Sequence, residues 1–115
     1  MGLSKLVRFS ELSPPRRALI RLCQHLNFGQ IQGLRVQDAD PVLNPPPVVI
    51  ADVKLDADDT RRQELELKDF TLRREACRLM DHLDELNDGT ILRIDVRAGN
   101  PSRILFESSL PETLL

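Results

Sequence analysis

The sequence predicts an α+β two-layer sandwich. Tandem α-β-β units (αββαββ) build an antiparallel sheet covered on one face by two helices. Three observations carry this expectation. Two stretches, one after Ser13 and one after Asp69, repeat apolar residues at helical spacing. Each is followed by a pair of shorter, β-branched stretches joined by turn residues. The two sets also echo one another. Arg21-Leu22-Cys23-Gln24-His25-Leu26 matches Arg78-Leu79-Met80-Asp81-His82-Leu83 at an offset of 57 residues, and Gly29 through Pro41 matches Gly89 through Pro101 at an offset of 60. The difference places three inserted residues between helix and strand. Either unit alone would leave its helix stripe and sheet face wet, so the two are expected to fold together.

Residues 1–12 read as an N-terminal tail that packs a few leucines on the domain. The first αββ unit spans 13–55. Ser13-Pro14-Pro15 is a strong helix start, because serine caps and a first-turn proline has no helical N–H to lose. Ala18, Leu19, Leu22 and Leu26 share one helical face, Ile20 points away from it, and Gly29 suits a left-handed stop. In residues 30–37, Gln32, Leu34 and Val36 fall on one side. Asp38-Ala39-Asp40-Pro41 is turn chemistry, and Asn44-Pro45-Pro46-Pro47 stops ladder pairing. Val48 to Leu55 is β-branched and reads as a strand. Residues 56–68 form a polar loop. The second unit spans 69–107. Asp69 is its expected cap, and Leu72, Ala76, Leu79, Met80, Leu83 and Leu86 are its buried stripe. Leu92, Ile94 and Val96 share a strand face, and Ile104 and Phe106 point inward from the return strand. Residues 108–115 are a C-terminal tail.

Composition narrows the function classes. The 115 residues suit a single domain with its own core. A net charge of −2 and a pI of about 5.7 give no long-range pull toward nucleic acid or an anionic membrane. Two cysteines are too few for a disulfide framework. No apolar run reaches the length of a membrane span, and no signal-peptide core is visible. The expected setting is a prokaryotic cytoplasm. Four phenylalanines and no tyrosine or tryptophan make a poor platform for stacking bases.

Candidate chemistry is sparse. Cys23, His25, Cys77 and His82 are suitable zinc ligands by type. Residues two apart on a helix diverge by about 200°, and residues five apart by about 140°, so neither pair chelates one ion. No metal site and no cofactor is expected. Neither cysteine lies at a helix N-terminus, where a thiolate would be favoured. Asp56-Ala57-Asp58 begins like a calcium loop but lacks the turn glycine, since Arg61 stands in its place. No catalytic constellation emerges. Arg16 and Arg17 in the first turn of one helix, and Arg73, Arg74 and Arg78 near the start of the other, form a candidate anion or nucleic-acid site. The leading expectation is a non-enzymatic protein-interaction module or adaptor that self-associates as a homodimer. Its interface is placed on the open sheet face and the outer side of the first helix, through Ile20, Val48, Ile50, Ile91, Arg93 and Leu105. The alternative is phosphate-backbone binding through the five arginines.

Overall fold

Ser13 begins the first helix as expected: its Oγ accepts the Arg16 N–H at 3.4 Å, and prolines occupy the first turn of α1 (Pro14–Leu26). The computed structural model describes residues 6–56, 67–108 and 113. Residues 57–66 of the polar loop and most of the C-terminal tail lie outside them. Both helices stop at an asparagine rather than at the glycine two residues on. Asn27 after α1 and Asn87 after α2 (Arg74–Leu86) take φ of +65° and +58°. Asparagine is one of the few side-chain-bearing residues that visits this region readily. Asp69, the expected cap of α2, is four residues short of the N-cap position, which Arg73 holds. Asp69 instead accepts from Arg8 Nε at 2.8 Å and from the Ser10 N–H at 2.9 Å. That clamp and the Arg8–Thr71 bridge draw in the N-terminal segment, whose Phe9 and Leu12 are buried in the core.

The sheet is antiparallel throughout. It comprises β1 (Gly29–Gln37), β2 (Asp40–Val42), β3 (Val48–Ala51), β4 (Gly89–Arg97) and β5 (Asn100–Phe106). The order is β2-β1-β4-β5, with β3 on β1 beside β2. β2 pairs with the end of β1 (Arg35 with Val42) and β3 with its beginning (Gln32 with Val48). They are two lengths of one edge, parted by Leu43 to Pro47, which includes a cis Asn44–Pro45 bond. Prolines cannot donate to a ladder, so pairing lapses there. Between those two pairs β1 recedes three residues while the edge advances six. The edge thus carries three more residues than β1 inside the first hairpin, while no insertion separates helix from strand in either unit. Helix ends, strand starts and turns of the two units are all sixty residues apart. The Arg21–Leu26 and Arg78–Leu83 match is three residues out of step with the fold, and His25 and His82 do not occupy equivalent places.

β1 and β4 form the central ladder, from Gly29 with Val96 to Val36 with Gly89. Residues buried toward the helices are Ile31, Leu34 and Val36 in β1, and Ile91, Ile94 and Val96 in β4. The spacing is three and then two, so simple alternation fails at the middle of both strands. Gly33 takes φ +68°, and the β4–β5 register shifts between Ile91 and Arg93. An extra residue in a strand turns the following side chains to the opposite face. Consequently Ile91 faces the core at 1% exposure, and Leu92 takes the outer face at 47%. The α1 stripe is rotated as well. Leu19, Ile20, Cys23 and Gln24 are buried, Leu22 and Leu26 are only partly covered, and Ala18 is exposed. The buried positions of α2 (Ala76, Leu79, Met80 and Leu83) are those expected. Arg16, in the first turn of α1, ion-pairs with Asp84 in the last turn of α2, so the helices lie side by side and antiparallel.

Candidate interaction surface

Strand alternation with the central shift decides which side chains face away from the helices. From β1 these are Gln30, Gln32, Gly33 and Arg35. From β4 they are Leu92, Arg93, Asp95 and Arg97. Val48 and Ile50 of β3 stand opposite Gln32 and Gln30, and Leu105 and Arg103 of β5 stand opposite Arg93 and Asp95. The aliphatics lie toward the two sides of the face: Val48 is 59% exposed, Ile50 43%, Leu92 47% and Leu105 39%. A polar strip runs between them. Gln32 Nε2 donates to Gln30 Oε1 at 3.1 Å. Asp95 lies between two arginines: Arg103 Nε donates to its Oδ2 at 3.0 Å, and Arg93 Nε lies 2.9 Å from its Oδ1. The Arg93 pair is close but misaligned, so both atoms are buried without a hydrogen bond.

Four of the six residues expected at the interface stand on this face: Val48, Ile50, Arg93 and Leu105. The other two do not. Ile20 is 4% exposed and Ile91 1%, and both belong to the core. Ile20 is buried because α1 is rotated from its predicted stripe. Ile91 is buried because the register shift reverses its side. Leu92 takes the outward place that Ile91 was expected to hold, and only the strand irregularity reveals it.

The arginines separate into two groups. Arg16 is nearly buried, with a side chain 14% exposed. Its Nη2 donates to Ala39 O at 2.8 Å and to Asp84, and its Nε lies 3.5 Å from Asp40 Oδ1. Because the helices are antiparallel, Arg16 and Arg17 start one helix at the end of the molecule where α2, begun by Arg73 and Arg74, finishes. Arg78 lies one turn into α2. The five do not converge on one anion.

Nor do the cysteines form a reactive centre. Cys23 is fully buried, and burial pushes its thiol up to about 12. Burial, and then the Asp81 charge, also raise the thiol of Cys77. A thiol held protonated is a poor nucleophile and a poor metal ligand. Among the described residues, no three His, Cys, Asp or Glu side chains gather closely enough to hold a metal ion. Among them too, no helix is long and apolar enough to cross a membrane. The sequence matches no protein-family model, and no curated protein or solved structure matches the chain.

Proposed function

We propose that this chain is a small non-enzymatic protein-interaction module whose working surface is the open sheet face, with a second copy of itself as the partner. The observation that supports this reading is the set of four outward aliphatics, Val48, Ile50, Leu92 and Leu105, standing around a polar strip. Single exposed aliphatics are ordinary; several on one flat face are the composition of a moderately polar interface. Four strand widths at about 4.8 Å spacing and about seven residues in length give a flat footprint of roughly 450 Å2. Side-chain relief brings that toward the ~800 Å2 per partner of a standard complex. Arg35, Arg97 and Arg103 would lie at its margin, where water still screens like charges. The two free cysteines suit a reducing cytoplasmic setting. The constant sixty-residue spacing supports an internal repeat as the origin of the two units.

Sedimentation equilibrium tests the reading. The expected mass is twice 13.1 kDa, falling to 13.1 kDa in Val48→Glu and Leu105→Glu variants that keep the wild-type circular dichroism. Ile91→Glu, by contrast, should fail to fold, because it places a charge in the core. A wild-type chain that stays monomeric at high micromolar concentration defeats the proposal. The phosphate-binding alternative loses Arg16 to its ion pairs and would fall to Arg17, Arg73, Arg74 and Arg78. It predicts duplex binding that weakens steeply with salt.

A further inference from the structure

A cavity of about 270 Å3 lies beside Ala76, at the place that Arg16 fills in the first unit. The first unit leaves an opening of its own, a groove of about 430 Å3 between α1 and β3. Its walls include Ala18 and Leu22, one turn apart on α1, Leu43 and Pro47 of the proline-rich edge, and Val49 of β3. Val49 stands opposite Ile31, which is buried toward the helices, so it lies on the helix side of the sheet. Val48 and Ile50 point the other way, to the open sheet face.

The groove runs beside a strand edge. Among the described residues, β3 pairs with β1 alone. The Asp52 N–H donates to Phe28 O at 2.9 Å, continuing the register that sets Ile50 opposite Gln30 and Val48 opposite Gln32. Successive residues of an antiparallel strand turn their N–H and C=O alternately to its two sides. Val48 and Ile50 therefore bond toward β1, and the N–H and C=O of Val49 and Ala51 point away from it. All four residues of β3 are exposed. Edges are ordinarily blunted by charges or prolines in the strand, and Val48 to Ala51 holds neither. Outward donors and acceptors along an edge fit one shape, an extended backbone. The groove adds a side-chain requirement. Residues directly opposite across a ladder share a face, so alternate side chains of an added strand would enter the groove. The β3 strand of a second copy would offer only Val49 and Ala51 there, which are small for a cleft within the usual range of ligand sites. Larger aliphatic side chains suit it.

We propose that β3 takes up an extended segment of another protein as an added edge strand, with aliphatic side chains at alternate positions seated in the groove between α1 and β3. This surface is separate from the open sheet face and does not depend on self-association. Fluorescence anisotropy tests it with a labelled peptide, Lys-Thr-Leu-Thr-Leu-Thr-Leu-Thr-Lys, added to the full wild-type chain and to its Leu105→Glu variant. Saturable binding of equal affinity is expected in both, whatever the oligomeric state of the wild-type chain. A peptide with Ala in place of every Leu should bind about tenfold more weakly or worse. Two further peptides carry N-methyl groups on all the Leu amides or on all the Thr amides. An added strand turns only alternate amides to the edge, so one form should lose binding and the other keep it. Ala51→Pro removes an outward N–H and none of the β1–β3 bonds, and should weaken binding about tenfold. Ala18→Glu, at an exposed position of α1, should do the same from the groove side, and it decides the matter if Ala51→Pro does not fold. The proposal is overturned by no saturable binding, by equal binding of the two N-methylated peptides, or by unchanged affinity in folded Ala51→Pro or Ala18→Glu chains. It is also overturned by a Leu105→Glu chain that dimerises until Ala51→Pro is added, since β3 would then be taken by a second copy.

Discussion

Asp69 shows how one residue serves a purpose its sequence position does not announce. Three residues before an apolar helical stripe it reads as a cap, yet its carboxylate faces the N-terminal segment. The hydrogen bond from Arg8, followed by that from the Ser10 N–H, holds its carboxyl down to about 2 from an ordinary 3.8. A carboxylate depressed in the fold adds stability that is complete above its unfolded value and is lost as pH falls through the folded one. The clamp should therefore persist through pH 4 and release only near pH 2. Following the Ser10 amide by NMR during acid titration checks this. The midpoint should lie near 2 in the native chain and return toward the ordinary range in Arg8→Ala. A native midpoint at 3.8 would contradict the assignment.

At the scale of elements, the two strand starts look alike but differ in what surrounds them. Gly29 and Gly89 open β1 and β4 with φ of +154° and +159°. A Cβ on Gly29 would lie 2.0 Å from the Ile50 carbonyl oxygen, a backbone atom held in the β1–β3 ladder. A Cβ on Gly89 would meet the Leu86 side chain at 2.9 Å, which can turn aside. Gly29→Ala is expected to cost about 2–3 kcal/mol and to loosen β3, while Gly89→Ala costs about 1 kcal/mol. Urea denaturation of the two variants measures the difference, and equal losses would count against it. The helices carry a comparable lesson. Periodicity located α2 well, because its buried positions are all apolar. It misjudged α1, because two core-facing positions, 16 and 24, hold Arg and Gln. The apolar pattern then points to Leu22 and Leu26, which are only partly covered.

The molecule as a whole is held by a ladder that neither unit contains. β1 and β4 pair along nearly their full length, and the buried set draws on both helices, both hairpins and the N-terminal segment. Peptides covering 6–56 and 67–108 should each give circular dichroism close to that of a coil and recover the native spectrum on mixing. A stable, native-like signal from either peptide alone would mean that the units fold independently. The same arrangement sets the antiparallel helices end against end. Arg16 at the positive pole of α1 is thereby neutralised by Asp84 near the negative pole of α2. Each charge is unfavourable to its own helix dipole, and the pairing offsets both.

The sequence by itself determined the α+β class, the order of helices and strands, the serine cap, the turn positions and most of the α2 stripe. These follow from local preferences and short-range periodicity, which act within a few residues. Val48, Ile50, Arg93 and Leu105 were legible on the outer face for the same reason. Only the tertiary structure decided the faces of Ile20, Ile91 and Leu92. A helix rotates to suit its neighbours, and one irregular residue at mid-strand reverses every side chain beyond it. The cavity beside Ala76 was equally invisible, since only the fold shows that Arg16 fills the matching place in the other unit.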